Sequence, residues 1–530
     1  MRDFQSPGRS AVYARHGMAA TSHPFATKAA LDLLQRGGNA VDAAVCAALM
    51  LPLCEPSATG LFGDAFALIK PANGEQIIGV NGSGPAPAGL SADAMRAEGL
   101  DAVPSRDVRA VTLPGAIAAF ELLIQGYGSM GWSEIAAPAI RYAEAGVPVA
   151  PRVAFDWAAF APELRGAARR FYLSNEAPLR PGQPFRAPGQ AEVLRRISAQ
   201  GAAGFYQGEV AADLVESLQA LGGCHSLEDM ASVNAEVVEP ISAGYRGLEL
   251  VELPPNGQGV TALLMAKILA HFDLGGLAPL GAQRAHIEAE AAKLAYDARN
   301  RFVADPRQMP HPSAVLAHLL RDQTAEKLAG LIDPKRAMPD PHPLTEAVHR
   351  DTVYLTVVDR DGCAVSLIFS IFFGFGSGLA SERFGLIFHN RGAGFSLTTG
   401  HPNEAAGGKR PLHTIIPAML RQQGRLLMPF GVMGGPYQPT GQVRILTNLV
   451  DYGMDLQSAL DAPRSFAWTD GLELETGYAQ QTAEQLAAMG HRVQRCQAPL
   501  GGCQAIWIDA DAGVLIGASD PRKDGCALGY

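Results

Sequence analysis

One run of this sequence spaces hydroxyls so that they could gather at a single point. Thr352, Tyr354 and Thr356 alternate along TVYLTVVD, so a strand there turns all three to one face. Asp361-Gly362 separates two β-rich runs, a strong hairpin signal. A hairpin turning there pairs positions whose numbers sum to roughly 721–723. Thr352 then faces residues 369–371, among which Ser370 is the only hydroxyl. Two or three hydroxyls could thus cluster at the beginning of this strand, although threonine is also simply a good strand former. Further on, Gly434-Gly435 in PFGVMGGPYQP reads as a tight turn after a strand. No H-E-x-x-H, G-x-S-x-G or G-x-x-x-x-G-K-[ST] occurs, which disfavours zinc-protease, α/β-hydrolase and P-loop chemistry. His225 beside Cys224 lacks metal-ligand spacing and reads as a surface turn. No metal and no organic cofactor is implied.

The elements that must carry these residues are readable in outline. ATKAALDLLQRGG has helical periodicity and stops at Gly37-Gly38, after which Asn39 can N-cap AVDAAVCAALM. A glycine-rich turn, TGLFGDAFALI, leads into a buried strand. Residues 115–240 are Ala-rich and helical, and 284–304 form the clearest amphipathic helix. The stretch 305–350 is polar and Pro-rich, an expected exposed connector. Strands are expected at FGLIFHN, QAIWIDA and GVLIGAS, and helices at DLQSALDAP and QTAEQLAAMG. The whole reads as a layered α/β or α+β unit with one exposed seam near 350.

Composition narrows the partners and the compartment. Charged residues make up 18% of 530 and hydrophobic residues 48%; the charge is below the roughly 25% of ordinary soluble domains. With mean hydropathy at +0.05, a large buried core is expected rather than disorder. The net charge of −9, with no basic face, argues against nucleic acid. The N-terminus lacks an apolar signal region, and AVDAAVCAALMLPL is too short to span a membrane. Seven scattered cysteines without a C-x-x-C pair fit reduced thiols. A cytoplasmic protein with neither nucleic acid nor membrane as partner is expected.

The surrounding pattern is more specific. Thr352-Val353-Tyr354-Leu355-Thr356-Val357-Val358-Asp359, Ala364-Val365-Ser366, Phe375-Gly376-Ser377-Gly378, Gly408-Lys409-Arg410-Pro411-Leu412 and Gly434-Gly435 follow one another in an order that resembles the small subunit of the γ-glutamyltranspeptidase family. The resemblance extends over nearly the whole chain, through GGNAVDAAV at 37–45, Glu55-Pro56, PPNGQG at 254–259 and the terminal SDPRKDGCALGY. It implies an N-terminal-nucleophile hydrolase, α+β, built as a four-layer αββα sandwich. It also implies self-cleavage between Asp351 and Thr352. That would give a large subunit of residues 1–351 and a small one of 352–530, together one αββα unit. By the same resemblance Thr352 is the nucleophile, Ser370 a supporting hydroxyl, and Gly434 and Gly435 the backbone donors of an oxyanion hole.

The chain departs from the family where a γ-glutamyl group would be anchored. The family's arginine falls at Asn81. Its acidic N-[NQ]-[EQ]-M-D-D-F loop reads His389-Asn390-Arg391-Gly392-Ala393-Gly394-Phe395, its serine pair is His413-Thr414, and an asparagine after the supporting hydroxyl is Phe372. The loop from Phe395 to Lys409 is also shorter than the family's lid. An ammonium beside Arg391 would be repelled, by about 1 kcal/mol or more in a partly desolvated site. These changes point to a pocket rebuilt around a cation, with Arg391 and His413 receiving a carboxylate on the acyl part of an amide. Thr414 and Asn81 complete the expected substrate-binding set.

The leading expectation is thus a self-processing amidohydrolase, similar to the branch with oxamate amidohydrolases and acylases. Its partners are a small-molecule amide substrate and the two chains of one precursor, with a homo-oligomer left open. A γ-glutamyltransferase or glutathione hydrolase is the alternative, and an uncleaved, non-catalytic homologue a second.

Overall fold

The computed structural model describes residues 8–339, 352–468 and 471–530. Two seven-stranded sheets form its centre. One runs, edge to edge, through Cys526–Gly529, Met18–Thr21, Val353–Val358, Ala364–Ser370, Asp64–Lys70, Ile78–Gly82 and Glu236–Val238. The other runs through Val12–Ala14, Val514–Ser519, Gly502–Asp509, Arg425–Met433, Ala418–Gln422, Leu248–Glu252 and Ile241–Tyr245. Every neighbouring pair in both sheets is antiparallel.

The two-residue period of the strands assigns each side chain to one of three apolar layers. Val353, Leu355 and Val357 pack outward, with Val365, Leu367 and Phe369, against helices that include Pro24–Gln35 and Ala40–Cys54. Tyr354, Val358, Phe66, Leu68 and Ile368 point the other way and meet Val251, Met419 and Met433 between the sheets. The second sheet's outer face is covered by helices Gly259–Leu269, Ala282–Phe302 and Gln438–Val450. Helix, sheet, sheet and helix therefore stack as the expected αββα sandwich. Asn39 N-caps its helix through a full capping box with Asp42, as its place after Gly37-Gly38 predicts.

Several expectations need correction. FGLIFHN forms no ladder strand; Ile387 makes only an isolated bridge to Ala380, because Gly385 at φ +66° turns the chain out of extended geometry. The helix near 284–304 spans Ala282–Phe302 and is not a surface amphipath. Arg284, His286, Glu288, Glu290 and Arg299 are all buried, and their charges are met inside, as in the Arg284–Glu288 pair at 2.8 Å. Residues 305–339 are more than a connector, since they fold two short helices, Pro312–Leu319 and Asp322–Ala329. The rest of that connector, and Asp351 after it, lie outside the described residues. His225 is not on a surface turn: it is buried, with Nε2 3.0 Å from the Val111 carbonyl. Among the described residues no helix is long and apolar enough to cross a membrane.

Candidate active site

The hairpin register decides where the hydroxyls meet. Val353 pairs with Phe369 and Val358 with Ala364, inside the predicted window, so one step earlier Thr352 stands opposite Ser370. On the other side of that strand, Ser370 pairs with Asp64. Three adjacent strands thus end in a row, Thr352, Ser370 and Asp64. By alternation all three share the face that looks between the sheets. All three are fully buried. The Ser370 hydroxyl accepts a hydrogen bond from the Phe372 amide at 2.9 Å.

The glycine pair lies where the Arg425–Met433 strand passes into the Gln438–Val450 helix. Gly434 has φ +113° and Gly435 φ +54°, left-handed conformations that favour glycine. A Cβ on Gly434 would also come within 3.0 Å of Gly501 Cα. In the first turn of the helix, Gln438 donates from Nε2 to Thr352 Oγ1 at 3.5 Å, while its Oε1 accepts from the Ile416 amide at 2.9 Å. Gln438 therefore ties the glycine turn and the helix N-terminus to the threonine. The threonine hydroxyl and the glycine turn are thus linked through a single side chain at the start of the helix.

Behind this row sits a buried electrostatic hub that the sequence reading missed. Asp64 Oδ1 accepts from the Gly84 and Gly115 amides at 3.0 and 3.1 Å. The approach is that close because both donors are glycines: a Cβ on Gly84 would fall 1.5 Å from the Leu113 carbonyl oxygen. Asp64 Oδ2 lies 2.9 Å from His413 Nε2, 3.7 Å from His389 Nδ1 and 3.9 Å from Arg391 Nε. Burial opposes ionisation of Asp64, but His389, His413 and Arg391 outweigh it and hold the carboxyl below its ordinary range. Burial, reinforced by Arg391, pushes His413 down to about 3, and burial lowers His389 too.

Arg391 is held from two further sides. Its Nη1 donates to Thr414 Oγ1 at 2.9 Å, and its guanidinium lies 4.1 Å from the centre of the Phe372 ring, a cation–π distance. The two departures at Arg391 and Phe372 thus touch each other. Both nitrogens of His413 are engaged, Nε2 with Asp64 and Nδ1 with the Ile415 amide at 3.3 Å. Asn81 is turned to Asn256, donating to its Oδ1 at 3.0 Å. Asn256 in turn donates to the Pro411 carbonyl at 2.7 Å and accepts the His413 amide on its own carbonyl at 2.8 Å.

The PPNGQG motif acquires a role here. Gln258 donates from Nε2 to the Thr414 carbonyl at 2.7 Å and the Gly435 carbonyl at 3.0 Å, and Arg299 Nη1 donates to its Oε1 at 2.7 Å. One side chain thus fixes His413-Thr414 relative to the glycine turn. Asp64, Gln258, His389, Arg299 and Gln438 had no assigned role in the sequence reading. Only Asp64 left a signal, as the one acidic residue heading the otherwise apolar DAFALI.

A sandwich of two antiparallel sheets between helix layers, with a threonine at the end of a central strand, defines the N-terminal-nucleophile hydrolase fold. Residues 26–530 match the family described as Gamma-glutamyltranspeptidase. The chain is 34% identical to the oxamate amidohydrolase proenzyme of Klebsiella pneumoniae, over 97% of this chain and 98% of that protein. It is 32% identical to the glutathione hydrolase-like YwrD proenzyme of Bacillus subtilis, over the same shares. The crystal structure of cephalosporin acylase from Bacillus halodurans superposes with a TM-score of 0.92 at 37% identity, covering 100% of this chain and 99% of that one. The chain belongs to the γ-glutamyltranspeptidase family, and its relatives mark it as an enzyme.

Proposed function

We propose that the chain is a self-processing amidohydrolase acting on amides whose acyl group carries a carboxylate. The observation that carries this is the row Thr352, Ser370 and Asp64, joined through Gln438 to the Gly434-Gly435 turn. In the precursor, Thr352 Oγ1 attacks the Asp351 carbonyl and an N→O acyl shift gives an ester. Water then releases residues 1–351 and 352–530. The freed α-amine of Thr352, with an ordinary pKa near 8, takes the proton from its own hydroxyl as that oxygen attacks the substrate. A threonine inside the chain has no such base. The Gly434 and Gly435 amides receive the oxyanion, worth about 3 kcal/mol per donor in such sites. The amine product leaves with a proton, and water hydrolyses the acyl-enzyme.

Arg391 is the proposed receptor for the substrate carboxylate, its planar fork held by Phe372 and Thr414. His413 and Asn81 act behind it, His413 by orienting Asp64 and Asn81 by bracing Asn256. A relative named oxamate amidohydrolase and a structural relative named cephalosporin acylase support amide hydrolysis, and a relative named glutathione hydrolase-like leaves γ-glutamyl donors as the second reading. Seven free cysteines support a reducing, cytoplasmic setting. The test compares γ-glutamyl-anilide, oxamate and glutaryl amides on wild type and Arg391→Glu. Hydrolysis of the carboxylate amides should dominate in wild type and fall at least tenfold in the variant. Equal rates in the two proteins would sink the carboxylate reading, and a preference for γ-glutamyl-anilide would return the chain to glutathione-type chemistry.

A further inference from the structure

Away from the threonine, a buried cluster joins residues from opposite ends of the sequence. His286 and Glu290 stand one turn apart on the Ala282–Phe302 helix, so both project from one face. His491 arrives on that face from the C-terminal part of the chain, after helix Gln480–Ala488. His286 and Glu290 are fully buried and His491 is 7% exposed. His286 Nδ1 lies 2.7 Å from His491 Nε2, and His491 Nε2 lies 4.0 Å from Glu290 Oε1. Among the described residues, no other group of three His, Cys, Asp or Glu side chains brings its ligand atoms within 4.8 Å of one another.

The surrounding bonds fix which atoms are available. His286 Nε2 sits 2.8 Å from the Asp333 carbonyl oxygen, which can only accept. The proton is therefore on Nε2, and Nδ1 turns a lone pair into the cluster. A ring N–H anchored on a backbone carbonyl is the support that metal-bound histidines ordinarily have. Glu290 Oε2 accepts from the Met338 amide at 2.7 Å, which aims Oε1 inward. One group competes: Lys293 Nζ is 2.8 Å from Glu290 Oε1, and also 3.0 Å from the Met338 carbonyl.

We propose that His286, Glu290 and His491 form a binding site for a zinc-class divalent cation. Two imidazoles and one carboxylate are a zinc donor set that leaves a fourth position for water. With bonds of about 2.0–2.2 Å, tetrahedral ligand atoms stand roughly 3.3 Å apart. The 2.7 Å pair must open and the 4.0 Å pair close, by about 0.6 and about 0.7 Å respectively to reach that spacing, within reach of side-chain rotation. On binding, His491 carries its proton on Nδ1 instead of Nε2, so that both imidazole lone pairs face the ion, and Lys293 moves wholly onto the Met338 carbonyl. His286 and Glu290 precede the expected cleavage point and His491 follows it, so a bound ion would staple the two product chains together.

The test is equilibrium dialysis of the purified full-length protein against Zn2+ at neutral pH, with metal counted per protein by native mass spectrometry. Co2+ absorption serves as a second, spectroscopic probe. The expected result is one ion per protein, held at least tenfold more weakly by His491→Gln and by Glu290→Gln. Lys293→Met removes the competing ammonium and should bind more tightly, a gain that misfolding would not produce. Thr352→Ala should bind as wild type does, so a failure of self-cleavage would leave this result standing. No ion on wild type, or undiminished binding by both site variants, overturns the proposal.

Discussion

The substitution Asp64→Asn isolates the charge of the hub from its shape. The amide oxygen it introduces can still accept from Gly84 and Gly115, while its NH2 takes the place of the oxygen that faces His413 Nε2, so the negative charge beside Arg391 and the bond from His413 both disappear. Both residues are fully buried, with Arg391 Nε 3.9 Å from Asp64 Oδ2. At an effective dielectric near 20, charges that far apart attract by about 4 kcal/mol. Breaking a buried pair from one side typically costs about 3–5 kcal/mol, because the remaining charge is stranded. The Thr414 bond and the Phe372 stack support Arg391 independently, so the lower end applies, about 3 kcal/mol. Urea unfolding in a Thr352→Ala background, where every chain stays whole, measures this without heterogeneity from processing. Arg391→Met should also destabilise. The double variant should cost less than the sum of the two by about 1–3 kcal/mol, since neither charge is then left alone. Costs that add to within about 0.5 kcal/mol would refute the pairing as the organising interaction of the hub.

The remaining predictions concern the threonine's neighbours and acid. Gly434→Ala must force a side chain into φ +113° and toward Gly501; if its amide serves the oxyanion, kcat should fall about 10²–10³-fold, read by single-turnover hydrolysis. Gln438→Ala removes the contact to Thr352 Oγ1 and should slow self-cleavage about tenfold, the loss of one modest hydrogen bond, followed by the rate at which the intact chain disappears. His413 ordinarily titrates at 6.5 but is held at about 3 by burial. Below 6.5 the unfolded chain takes up a proton that the folded chain refuses, so stability should fall as pH drops from 6.5 toward 3. The slope is at most about 1.4 kcal/mol per pH unit for this group. His23 and His225, lowered to about 4, add in the same direction, and His413→Gln should flatten the curve by close to one proton.

How much was legible follows from where the determinants lie. The hairpin at Asp361-Gly362 is a local signal, so its register, and with it the Thr352–Ser370 pairing, could be read from residue numbers alone. The Asn39 cap is equally local. The Asp64 hub is not, because its partners come from residues 84, 115, 389, 391 and 413, which only the fold brings together. For the same reason Arg391 read as a cation for substrate, while the carboxylate beside it stayed invisible. The Ala282–Phe302 helix misled differently. Its polar residues have surface periodicity, yet Glu288 and Glu290 find their cations inside, at Arg284 and Lys293. FGLIFHN has strand composition but carries a glycine at positive φ, and one backbone angle outweighs the favourable side chains around it.

The central claim is that Thr352 becomes an N-terminus. Intact mass and denaturing electrophoresis of freshly purified wild type and Thr352→Ala address it directly. Cleavage before Thr352 predicts two wild-type chains of about 37 and about 19 kDa, two thirds and one third of 55.8 kDa, the smaller beginning with Thr352. The variant should stay whole. A wild-type protein that remains a single 55.8 kDa chain after long incubation, or that splits equally well without the threonine hydroxyl, would contradict the account at its first chemical step.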